Sequence, residues 1–200
     1  MNRFLAHVLL LAAASVQVRG QSTSYCPTGR TGSVRVSSDS IGPFPLRSTL
    51  GALQAACPAA RNTVWYGEAS ESGGSEYPAI TLPFEGLTAI GVQYARVRNT
   101  SAPLDAWIIH GSNGVWPEGV RFNASWPVIR EHYGRGLADL DIGVVRVSFC
   151  KLRGMVLTFR GNPREIEAIG QTQDLSTIPD GVMLDHVTIE HALKRTVPCY

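Results

Sequence analysis

Apolar and polar positions along the chain fall into two recurring layouts. In the first, apolar residues return at three- and four-residue spacing behind a hydroxyl side chain. Leu50, Leu53 and Cys57 follow Thr49, and Trp126, Ile129 and Tyr133 follow Ser125. That spacing lines up one buried stripe on a short helix. Thr49 and Ser125 are placed to cap the first backbone N–H groups. Pro127 stands in the first turn, where a missing donor costs nothing. Pro58 and Gly134 end the two helices. In the second layout the period is two. Ile80, Leu82 and Phe84 lead through Glu85-Gly86 to Leu87, Ile90, Val92 and Tyr94, while Val145, Val147 and Phe149 lead past Gly154 to Met155, Leu157 and Phe159. Each block predicts two antiparallel strands around a tight turn.

The two layouts occur twice in the same order, which is the mark of an internal repeat. Residues 46–58 set over 122–134: Leu46 on Phe122, Thr49 on Ser125, Leu50 on Trp126, Leu53 on Ile129, Cys57 on Tyr133. Residues 80–94 set over 145–159 in the same way. The first copy is longer between helix and hairpin, and the surplus fits the Ser- and Gly-rich stretch Glu68 to Tyr77, which predicts a surface loop. Further strands are predicted at Ser33 to Val36, Val64 to Tyr66, Trp107 to His110 and Val182 to Glu190. Asp139 and Asp141 fall in a polar stretch that reads as a loop, Asn162 would start a helix over Pro163 to Ile169, and Ala192 to Arg195 reads as a helical turn. The fold predicted is α+β, two tandem units over 21–100 and 101–200, each a short helix packed on an antiparallel β-meander. Their boundary falls near Asn99 to Leu104.

The capped helix ending in Cys57-Pro58, the following Trp65-Tyr66 and the hairpin at Phe84-Glu85-Gly86-Leu87 resemble the small outer-membrane assembly lipoproteins, whose helix-plus-meander domain the β-lactamase inhibitory proteins also use. The resemblance covers roughly residues 33–95 and 107–160. Two features depart from it: the assembly lipoproteins' lipobox cysteine is absent, and each copy holds one clear helix where those families carry two. The resemblance implies binding to another protein through the sheet or its loops, and it carries over no catalytic residue.

The N-terminus adds a compartment. Arg3 precedes a short apolar run from Phe4 to Ala14, and Val18-Arg19-Gly20 ends it. The run is shorter than the ~20 residues a membrane helix needs. This predicts a signal peptide over 1–20 and a periplasmic or secreted protein with no stable membrane anchor after cleavage. Of the 18 Lys and Arg residues, Arg3 and Arg19 leave with that segment, and the rest balance the 16 acids. A neutral chain offers no general attraction to nucleic acid. Four cysteines, Cys26, Cys57, Cys150 and Cys199, predict two disulfides in an oxidising compartment. Three pairings are open, and one staple per half, Cys26 with Cys57 and Cys150 with Cys199, is the arrangement favoured.

Chemistry-bearing motifs are sparse. His186-x-x-x-Glu190-His191 looks metal-like, but a strand would turn His186 and His191 to opposite faces, so no metal site and no cofactor is expected there. Gly111-Ser112-Asn113-Gly114 lacks the lysine of a phosphate loop and reads as a turn. No Gly-x-Ser-x-Gly nucleophile elbow occurs. Trp107 and Trp126 read as core. Trp65, Tyr66 and Trp116 stand beside polar loops, and aromatics are the usual anchors of protein interfaces. The expectation is therefore an exported, non-catalytic binding protein whose partner is another protein. The alternative is a secreted hydrolase with a site between the repeats, using His110 or His132 and a nearby acid.

Overall fold

The structure, a computed structural model, describes residues 25–28, 32–66, 75–167 and 170–190. The expected signal peptide, most of the loop from Glu68 to Tyr77, His191, the turn at Ala192 to Arg195 and Cys199 lie outside the described residues.

Two helices form where the apolar stripe predicts them. Helix α1 (Leu50–Ala56) is capped by the Thr49 hydroxyl, which accepts from the Ala52 N–H at 3.2 Å. Helix α2 (Trp126–Tyr133) ends at Gly134, whose φ of 69° is cheap only for glycine. Ser125 does not cap α2 with its side chain. Pro127 removes the donor at the second helical position, and the Ile129 N–H is taken by the Ser125 carbonyl at 3.1 Å.

Among the described residues thirteen strands appear in chain order: β1 (Val34–Arg35), β2 (Ser40–Ile41), β3 (Phe44–Pro45), β4 (Arg61–Tyr66), β5 (Glu76–Phe84), β6 (Leu87–Val92), β7 (Ala106–Gly111), β8 (Gly114–Val115), β9 (Gly136–Asp141), β10 (Val144–Phe149), β11 (Met155–Arg160), β12 (Gly170–Thr172) and β13 (Met183–Glu190). Nine of them make one antiparallel sheet in the order β12-β9-β10-β11-β13-β7-β6-β5-β4. The fold is α+β but mostly β. Both predicted hairpins are present, with Gly86 (φ 70°) and Gly154 (φ 76°) at their turns.

Two local expectations change, and the strand expected at Trp107 to His110 is present as β7. Gly136–Asp141 is strand β9 and not a loop, because Ala138 and Leu140 supply the buried side of a period-two pattern whose open side the two aspartates occupy. Residues 163–166 make a single turn on Asn162, whose side chain accepts from the Arg164 N–H at 3.0 Å and so closes the chain locally instead of propagating a helix. The strand at Trp107 to His110 lies in the middle of the sheet, bonded to β6 on one side and β13 on the other. The sheet therefore runs without a break past residues 99–104.

Both helices lie on one side. Leu50, Leu53, Trp126, Ile129 and Tyr133 share a single core with Ile80, Leu82, Phe84, Trp107, Ile109, Val145, Val147, Leu157, Phe159, Val187 and Ile189. The Cys26–Cys57 disulfide ties the residues ahead of β1 to the end of α1, and both cysteines are buried. Cys150 is disulfide-bonded as well.

Candidate functional site

The strand alternation that sends one set of side chains to the helices sends the other set to the opposite face. Among the described residues no helix covers that second face. Its middle row crosses seven strands in register: Thr88 opposite His110, His110 opposite His186, His186 opposite Thr158, Thr158 opposite Arg146, Arg146 opposite Asp139, and Asp139 opposite Gln171.

His110 and His186 meet at the centre of the row, with ring centroids 5.3 Å apart. Beside them stands Asp185. Neighbours in a regular strand face opposite ways, yet Asp185 and His186 share this face. The cause is a register shift between Thr158 and Phe159: Thr158 pairs with His186 and Phe159 with Leu184, leaving Asp185 unopposed. Such bulges re-aim side chains. The Asp185 carboxylate lies 2.7 Å from His186 Nδ1 through one oxygen and 3.1 Å from Arg160 Nε through the other. Burial works against the Asp185 charge, but the His186 hydrogen bond and the Arg160 guanidinium outweigh it and hold the carboxyl below its ordinary range. Burial, helped by the charge of His186, pushes the His110 imidazole below its usual value. The Asp185 charge and a hydrogen bond to the Asp185 backbone act in the opposite direction and are outweighed. One ligand atom from each of His110, Asp185 and His186 falls within 4.8 Å of the others. Among the described residues, no hydroxyl or thiol hydrogen-bonds either imidazole, so none of them completes a Ser–His–Asp arrangement with the trio.

The three aromatics singled out from sequence are placed differently from one another. Trp65 and Tyr66 are consecutive on edge strand β4 and point to opposite faces. Trp65 is half-buried on the uncovered face, packed with Tyr77 and Ile90 over Ala79, Val92 and Ile108. Tyr66 is 66% exposed on the other side of the same strand, with Val64 next to it at 47%. Trp116 is wholly buried, its ring 4.1 Å from that of Phe122, so in the folded chain it is a core residue with no surface to offer. The polar neighbours that made it look accessible belong to the single-turn 3-10 helix Pro117–Gly119. Tyr94, not singled out in the sequence, extends the aromatic group: it stacks edge-on to Tyr77 at 5.4 Å and donates to Glu190 at 3.0 Å.

The other histidine considered, His132, sits on the exposed side of α2 with Glu118 at 2.7 Å, remote from His110 in the fold's layout. An open depression of about 690 Å³ lies over the β6–β7 connection between Gln93 and Asp105. Its walls are held by Gln93, which donates to the Asn99 and Ala102 carbonyls, and they contribute no histidine or cysteine. Neither His110 nor His186 lines this depression.

No protein-family model matches the chain. No curated protein matches it, and no solved structure does.

Proposed function

We propose that the chain is an exported, non-catalytic protein-binding module whose contact surface is the β4 end of the sheet. The observation that carries this reading is the concentration of aromatic and exposed apolar side chains there: Trp65, Tyr77 and Tyr94 on one face, Val64 and Tyr66 on the other. Tyr and Trp are the common anchors of interfaces, and an edge strand presents backbone donors and acceptors that a partner strand can pair. The export expectation rests on the N-terminal pattern and on disulfide use.

The reading includes a duplicated architecture. It treats α1-β4-β5-β6-β7 and α2-β9-β10-β11-β13 as two copies of one helix-plus-meander unit, joined edge to edge through β7 and β13, with the boundary moved from residues 99–104 to beyond β7 so that this strand joins the first unit. The strand order, which reads β4-β5-β6-β7 from one side and β12-β9-β10-β11-β13 from the other, supports it, with β12 added outside the second copy. Joining the copies in this way removes one exposed edge from each.

The test is affinity capture with oxidised residues 21–200 as bait in envelope and medium extracts, alongside the Trp65→Ala/Tyr66→Ala variant. A saturable protein partner lost in the variant, with the variant's unfolding transition unchanged, is the expected result. A partner that binds the variant equally well removes the β4 assignment.

A further inference from the structure

We propose that His110, Asp185 and His186 form a site for a divalent transition-metal ion of the zinc class, clipped across the β7–β13 seam. This goes beyond the protein-binding reading and does not depend on it.

Four observations lead to the site. The donors are two imidazoles and a carboxylate, the set that zinc and its neighbours prefer and that magnesium and calcium do not. Their ligand atoms already lie within 4.8 Å of one another. A tetrahedral zinc centre holds its ligand atoms about 3.3 Å apart, given metal–ligand distances near 2.0–2.1 Å, so side-chain rotations of about an ångström close the site. The strands that carry the ligands are central in the sheet, so the backbone beneath them is rigid on both sides. Finally, Asp185 reaches this face only because β13 bulges at that residue, and bulges recur beside functional sites.

The surroundings fit a three-ligand centre. Asp185 can give the metal the oxygen that now accepts from His186, while its other oxygen stays on Arg160 at 3.1 Å. A ligating carboxylate steadied by a second hydrogen bond is the usual arrangement. The Arg160 guanidinium is an adverse charge beside the ligands; it is 66% exposed and therefore well screened. Thr88 and Thr158 flank the two histidines on either side and are neutral. Three protein ligands leave a coordination position open toward the uncovered face.

The experiment is a Zn2+ titration of residues 21–200 at neutral pH after chelator treatment, followed by calorimetry and by the shift of the unfolding midpoint. Saturable binding of one ion per chain is expected, together with a rise in midpoint. The affinity should fall by about tenfold or more in Asp185→Asn and by about a hundredfold in His110→Asn and in His186→Asn. His132→Asn should leave it unchanged, and Mg2+ should not compete. Imidazole resonances of the unsubstituted protein give a reading that does not depend on any variant folding: those of His110 and His186 should move with Zn2+ and those of His132 should not. Absence of saturable binding, binding that survives both histidine substitutions, or displacement by Mg2+ would overturn the proposal.

Discussion

His110 and His186 stand directly opposite each other on β7 and β13, their rings 5.3 Å apart, with the Asp185 carboxylate 2.7 Å from His186 Nδ1. The pair sits in the middle of a nine-stranded sheet, where a polar cluster must either stabilise the fold or serve a ligand. Asp185→Asn separates the two. Asp185 and its two partners, Arg160 and His186, are all partly open to solvent, at 30%, 66% and 24% exposure, so weakening both contacts in metal-free buffer should cost about 1 kcal/mol. Urea unfolding in the presence of chelator gives the number. A loss of several kcal/mol would make the trio a structural network first.

Three tryptophans of the core differ in one hydrogen bond. Trp107 donates from Nε1 to the Leu46 carbonyl at 2.8 Å, whereas the indole N–H groups of Trp116 and Trp126 have no partner among the described residues. All three rings are fully buried. Trp107→Phe should therefore destabilise more than Trp126→Phe, by about 1–3 kcal/mol, because it strands the Leu46 carbonyl in addition to leaving a void. Equal unfolding free energies for the two variants would contradict the assigned bond.

Gly111 and Gly91 both lack room for a side chain, but for different reasons. Gly111 has a φ of 118°, and a Cβ there would meet the Gly86 carbonyl and come 2.7 Å from the Leu87 Cα, which is turn backbone and cannot step aside. At Gly91 the obstacles are the end of the Leu104 side chain and the Trp107 ring at 3.3 Å. A side chain can move where a backbone cannot. Gly111→Ala should lower the thermal midpoint more than Gly91→Ala, and the opposite ranking would show that the β5–β6 turn yields more readily than the core.

Tyr133 is buried, and that burial, with the charge of Glu118, raises its phenol well above the ordinary 10.0. Below pH 10 the folded and unfolded chains hold the same proton. Above it the unfolded phenol ionises first, so the unfolded state binds fewer protons and stability falls as pH rises. Tyr133→Phe should flatten that alkaline loss while removing the 3.2 Å bond to the Pro117 carbonyl, a cost of about 1 kcal/mol at neutral pH. Unfolding curves at neutral pH and above pH 10, run on both proteins, check both parts.

Much of the local structure was legible. Both helices, both central hairpins and the last strand lie where apolar spacing puts them, because a cap, a stripe or a two-residue alternation is a property of a few neighbouring residues. The Cys26–Cys57 staple matches the favoured pairing. What misled was local chemistry overruling pattern. Asp139 and Asp141 made β9 read as a loop, although both alternate with buried Ala138 and Leu140, and Asn162 closed a turn where a helix was expected.

The sequence by itself determined both helices, both central hairpins and a nearly balanced charge of +2, since these depend on composition and on residues close along the chain. The tertiary structure alone decided where β7 sits, which of Trp65, Tyr66 and Trp116 reaches solvent, and which histidines meet. The sequence pattern set His186 against Glu190 and His191, its neighbours in the chain. The sheet instead brings His110 to it from a distant strand, and a bulge that no residue pattern announces turns Asp185 to the same face. Pairing register between strands far apart in sequence is settled by how the whole sheet buries its apolar side, and that is a sum over all nine strands and not a feature of any one of them.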